Sequence, residues 1–93
     1  MPTYVMLTNL TSEGVKTIRN NPARVSEVNH EVEALGARVI AQYTTLGQYD
    51  FVTIVEAPDE KTKAKVSVEL GSRGTMSSQT LAAIPSEELA KAL

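Results

Sequence analysis

Apolar residues change their spacing several times along this chain, and the changes divide it into elements. Tyr4 to Leu10 is a short, apolar, β-rich run and reads as a strand. Thr11 and Ser12 follow it, and either hydroxyl can cap a helix. Val15, Ile18, Val25, Val28, Val32 and Leu35 then recur at spacings of three, four and seven, the period of a helix with one buried stripe. Pro22 interrupts that stripe, since proline lacks a backbone donor and clashes one turn back. The pattern therefore predicts two helical pieces, 12–20 and 22–35, joined near Asn20-Asn21 and closed by Gly36.

Ala37 to Thr44 and Tyr49 to Ala57 are strand-like, and Thr45-Leu46-Gly47-Gln48 between them is short enough for a hairpin loop. Pro58 closes the second of these strands and Asp59 is a good helix cap, with Glu60 in the first turn. Residues 61–70 fit two periods. Val66, Val68 and Leu70 alternate like a strand, whereas Ala64, Val68 and Gly71 fit a helix. The Asp59 cap and the Gly71 stop select the helix. Thr75 to Ala83 reads as the last strand and Ser86 to Leu93 as a short C-terminal helix.

The resulting β-α-β-β-α-β order, with its helical tail, predicts a single α+β domain over residues 1–93 with a ferredoxin-like antiparallel sheet. Right-handed crossovers place the third strand between the first and second, and the fourth outside the first. Both main helices then cover one sheet face. The other face is left open, and Met6, Ile40 and Val52 make it too apolar for free solvation, although Gln42 and Thr44 dilute the signal. Sheet-to-sheet pairing of two copies answers that problem, so a homo-oligomer is expected.

Composition sharpens this picture chiefly by exclusion. Nine Lys and Arg against eleven Asp and Glu, a net charge of −2, do not make a nucleic-acid footprint. One Phe, three Tyr and no Trp leave few platforms for stacking bases. The absence of cysteine removes disulfide scaffolds and thiolate zinc sites, and agrees with a cytoplasmic setting. The N-terminus lacks a basic leader, and no apolar run approaches the roughly 20 residues of a membrane span.

Candidate chemistry is correspondingly narrow. His30, the one histidine, lies off the Val25-Val28-Val32-Leu35 stripe and should point outward, so with Glu27 and Glu31 it reads as a solvated face rather than a metal site. No resident metal or cofactor is expected. The informative stretch is Tyr43 to Asp50. By topology Thr11-Ser12, the Gly47–Asp50 loop and Gly71-Ser72-Arg73-Gly74 should meet at one sheet edge, where a long Arg73 can partly cross the sheet toward Asp50. Asp50 then has two main readings. It ties down the hairpin or the helix terminus, or with Tyr43, Tyr49 and Arg73 it lines a polar mouth for a small ligand. A general-base role would need a second group that the pattern does not supply.

At these residues the chain resembles the small GYD-domain family, named for a Gly-Tyr-Asp signature. Gly47, Tyr49 and Asp50 carry the match, followed by Phe51 to Ala57 and then Pro58-Asp59. Thr11-Ser-Glu-Gly-Val-Lys16 and Gly71-Ser-x-Gly74 extend it over most of the chain. Gln48 stands between Gly47 and Tyr49, so the signature here is Gly-x-Tyr-Asp. The resemblance implies an architecture similar to the dimeric α+β barrel group, in which ferredoxin-like units associate through their sheets.

Three functions are compatible with these readings. The first is a homo-oligomeric module that binds or senses a small molecule at the sheet edge or between subunits. The second is a cofactor-independent enzyme, oxygenase- or isomerase-like, of the kind found on that fold. The third is a structural or protein-interaction domain. The poor inventory of His and Cys favours the first over the second.

Overall fold

The computed structural model describes residues 1–93 as β1 (Thr3–Leu10), α1 (Ser12–Asn20), α2 (Arg24–Ala34), β2 (Arg38–Thr44), β3 (Phe51–Glu56), α3 (Glu60–Gly71), β4 (Met76–Ala83) and α4 (Ser86–Ala92). Capping chemistry sets several of these boundaries. Thr11 Oγ1 accepts from the Gly14 N–H at 3.2 Å, and Asp59 Oδ1 accepts from the Thr62 N–H at 2.8 Å. Each bond satisfies a donor that the first helical turn leaves without an intrahelical partner. The Thr62 amide also holds the Asp59 carboxyl below the ordinary carboxylate range. Pro22 sits in the turn between α1 and α2, and Gly36 follows α2 with φ +102°. Residues 61–70 are helical, and α3 buries Lys63, Val66 and Leu70 while Val68 faces out.

The sheet order is β2-β3-β1-β4, with every neighbouring pair antiparallel, as the ferredoxin-like arrangement requires. Helices α1 to α3 lie over one face. Tyr4 and Met6 of β1 and Val55 of β3 are buried beneath them, and Val32 of α2 with Val66 and Leu70 of α3 closes the core from above. Val15, expected in the α1 stripe, is exposed; it is Gly14 that α1 buries. No helix is long and apolar enough to cross a membrane.

Three residues expected on the open face, Met6, Gln42 and Thr44, lie on the helix side of the sheet instead. Met6 and Gln42 both sit opposite Thr53, which is buried on the helix side. For β2 the reason is a bulge between Val39 and Ala41, which inserts Ile40 and exchanges the faces of every residue after it. Gln42 and Thr44 therefore join the helix side and Tyr43 the open side. For β1, both alternate sets are apolar, and only burial of Tyr4, Met6 and Thr8 separates them. The open face is consequently more apolar than the pattern implies. Val5 sits between Ile54 and Leu81, and Leu7 beside Val52, which in turn meets Tyr43. Beyond the sheet, α4 buries none of its residues, and Ile84, Leu89 and Leu93 around it are exposed.

Candidate functional site

The sheet edge at the C-terminal end of β1 gathers the three segments that topology places there. Beyond Thr8, the last β1 residue paired with β3, the Leu10 N–H donates to Asp50 Oδ2 at 2.8 Å. The Asp50 N–H donates back to the Thr8 carbonyl at 2.8 Å. On the other side of β1, Thr11 Oγ1 donates to the Gly74 carbonyl at 2.8 Å, and the Thr11 N–H to the Thr75 carbonyl at 3.1 Å. Asp50 thus supplies the acceptor that β3 no longer offers, and it holds the chain where β1 turns into α1.

Strand β3 begins only at Phe51, so Tyr49 and Asp50 complete the hairpin loop rather than the strand. The Thr45 N–H donates to the Asp50 carbonyl at 2.8 Å and Thr45 Oγ1 to the Tyr49 carbonyl at 2.6 Å, closing the loop. Gly47 adopts φ +113° with nothing near a would-be Cβ, so its role is conformational. Truncating Asp50 to alanine is expected to cost about 1–3 kcal/mol, the range for a semi-buried donor that loses a charged acceptor. Asp50→Asn, which keeps an acceptor, should cost less. Urea denaturation reads both, and an alanine variant as stable as the parent would refute the anchoring role.

The sheet separates the other sequence-predicted residues. Tyr43 lies on the open face, 63% exposed. Tyr49 donates its hydroxyl to Gln79 Oε1 at 2.9 Å, reaching a β4 residue that pairs with Leu7 of the open face. Arg73 turns to the helix side instead, where its Nη1 binds Glu31 Oε2 of α2. Asp50 and Arg73 therefore do not share a mouth. His30 is exposed, and both nearby carboxylates are taken by arginines.

Between α1, α2 and the sheet lies a cavity of about 110 Å³. Its floor is buried and mostly apolar, with Met6, Phe51 and Val55 from the sheet and Val32 and Leu70 from the helices. One wall carries a polar relay: Asn29 Nδ2 donates to Gln42 Oε1 at 2.9 Å, and Gln42 Nε2 to Thr53 Oγ1 at 3.0 Å. At the rim stand Arg24 and Arg73, joined by Glu31, which is itself no part of the lining. Arg24 Nη1 lies 3.1 Å from Glu31 Oε1 and 3.4 Å from Glu27 Oε1. The bond from Arg73 holds the Glu31 carboxyl below its usual range, with Arg24 adding to the effect. The bond to Glu31 likewise raises the Arg24 guanidinium.

Arg24, Asn29 and Gln42 escape the sequence reading for separate reasons. Arg24 and Asn29 flank the apolar stripe of α2, where polar residues read as solvated. Alternation puts Gln42 on the open face because nothing in the sequence marks the bulge at Ile40. The Gly14 at the start of α1 carries a usable signal, since glycine inside a helix costs stability unless packing requires it.

Comparison with known proteins agrees with this architecture. The model of the GYD domain matches residues 4–93. A Thermus thermophilus protein named glutamine synthetase and cystathionine beta-lyase binding protein is 49% identical over 90 residues, covering 96% of this chain and 95% of its own. The crystal structure of TTHA0845, also from Thermus thermophilus, superposes with a TM-score of 0.59 at 23% identity, covering 91% of this chain and 95% of that one, a likeness of fold.

Proposed function

The chain belongs to the GYD-domain family, and from that premise we propose that it is a homo-oligomeric protein-binding module, two copies joined through their open sheet faces and docking on a partner enzyme. The observation that carries the association is the unbroken apolar strip of Val5, Leu7, Val52 and Ile54 with Leu81 and Tyr43 beside it. Four strands of six to eight residues give the whole sheet face roughly 19 by 27 Å, the scale of a sheet-to-sheet contact, and this strip occupies part of it. The exposed Ile84, Leu89 and Leu93 around α4 supply further unpartnered apolar surface. The docking role rests on the Thermus relative, named for binding glutamine synthetase and cystathionine beta-lyase and similar over nearly the whole of both chains.

Sedimentation velocity at about 10 μM tests the association: the parent should run as a dimer or larger, and Val52→Lys as a folded monomer. A parent that sediments as a monomer would overturn it. Biolayer interferometry with purified glutamine synthetase and cystathionine beta-lyase from the source organism tests the docking role. Saturable binding to at least one is expected, and none to either at 100 μM would refute it.

A second reading, small-molecule binding, is favoured by the cavity beneath α1 and α2. Its lining combines an apolar floor with amide, hydroxyl and guanidinium groups, the mixture typical of ligand pockets. No Asp, Glu, His, Lys or Tyr lines it, so the chain's own side chains supply no general acid or base there. The cavity is thus better suited to holding a ligand than to acid–base chemistry on it.

A further inference from the structure

The two arginines at the cavity rim have more donors than the protein uses. Arg73 spends one side-chain nitrogen, Nη1, on Glu31, and Arg24 divides Nη1 and Nη2 between Glu31 and Glu27. Each guanidinium carries five N–H donors in a rigid fork, a shape that matches a carboxylate. Glu31 bridges the pair from outside, while both arginines form part of the cavity wall. Both arginines therefore line the cavity, whereas Glu31 and Glu27, which pair with them, do not. Behind them the lining is apolar and rich in branched side chains, with Val28, Val32, Val55 and Leu70.

We propose that this cavity binds a small monocarboxylate with a compact, branched apolar body, the carboxylate held by Arg24 and Arg73 at the rim and the hydrocarbon seated on the valine floor. The inference rests on the small-molecule reading and adds the ligand's chemistry to it. Size limits the body. An engineered cavity of about 150 Å³ takes benzene, so about 110 Å³ here takes four or five carbons with the head group outside on the guanidiniums. Charge selects the head. A carboxylate at this rim gains charge-assisted bonds to donors left free by Glu31, in partly desolvated surroundings where such bonds are stronger. A neutral amide of the same shape keeps the hydrocarbon contacts and loses that gain. Joined to α2 through Glu31, Arg73 also closes the rim between the helix layer and the turn after α3, so a bound carboxylate would draw the same two segments together.

The test compares 3-methylbutanoate with 3-methylbutanamide by methyl-resolved NMR titration of the purified full chain. The acid should shift the methyl resonances of Val28, Val32 and Val55 saturably, with Kd about 1 mM or tighter for seven non-hydrogen atoms. The amide should bind at least tenfold more weakly. Arg73→Gln should weaken the acid at least tenfold and leave the amide unchanged, and Val28→Phe, filling the floor, should abolish both. The comparison of acid with amide on the parent protein stands even if a variant fails to fold. Equal binding of acid and amide in the cavity would overturn the carboxylate assignment and leave small-molecule binding intact. No shift of the floor methyls by either probe at 50 mM would overturn both, as would shifts confined to residues outside the cavity.

Discussion

Replacing Gly14 with alanine is expected to destabilise the protein by about 3 kcal/mol or more, although the same change in most helices is stabilising. Alanine normally gains about 0.5–1 kcal/mol over glycine in a helix interior. Here a Cβ on residue 14 would lie 2.0 Å from the Thr75 carbonyl oxygen and 3.0 Å from its carbon. The obstacle is backbone, so no rotamer change relieves it. That carbonyl also accepts the Thr11 N–H that opens α1, so moving it away breaks the joint between α1 and the segment entering β4. Overpacking of this kind costs about 1–3 kcal/mol where neighbours can yield, and more where they are fixed. For a chain of 93 residues a loss of about 3 kcal/mol lowers Tm by about 12–24 °C. Thermal unfolding followed by circular dichroism measures it. A Tm within 3 °C of the parent would show that α1 and β4 can separate freely.

Gly14 also illustrates where reading the sequence stops. The order of elements, the Thr11 and Asp59 caps and the strand order are legible because each rests on local chemistry or on chain handedness. The family is legible from Gly47, Tyr49 and Asp50 with the strand after them. What the pattern misses depends on contacts distant in sequence. A one-residue bulge at Ile40 reverses the faces of Gln42, Tyr43 and Thr44, and it has no marker in the sequence itself. Topology puts Asp50 at the right edge, yet the direction of Arg73 depends on where α2 lies. Only the packed structure puts Glu31 within reach of both arginines. The cavity follows from the same packing, since its lining draws on α1, α2, α3 and all four strands.

Lys63→Met is expected to raise stability at neutral pH by about 1–3 kcal/mol, as replacing an unpaired buried charge with a hydrophobe of similar length does. Lys63 is 2% exposed on the face of α3 that carries Val66 and Leu70. Its Nζ donates to Ser67 Oγ at 2.7 Å and to Thr80 Oγ1 at 3.1 Å, but all three ion pairs of the protein lie elsewhere. Burial accordingly lowers its pKa from the usual 10.5. A depressed lysine makes the native state release its proton before the unfolded state does. At pH values below the native pKa both states are charged, and folding bears the whole cost of burying the cation. As pH rises from the native pKa to 10.5, the unfolded chain binds more protons and the native state gains stability, by at most about 1.4 kcal/mol per pH unit. In Lys63→Met that gain vanishes, and Ser67 and Thr80, whose oxygens lie 3.5 Å apart, can bond each other. Urea denaturation of both proteins between pH 6 and 10.5 isolates the contribution of Lys63 as the difference between the two curves. The difference should start in favour of methionine and narrow toward alkaline pH; parallel curves would mean that Lys63 is hydrated in the native state.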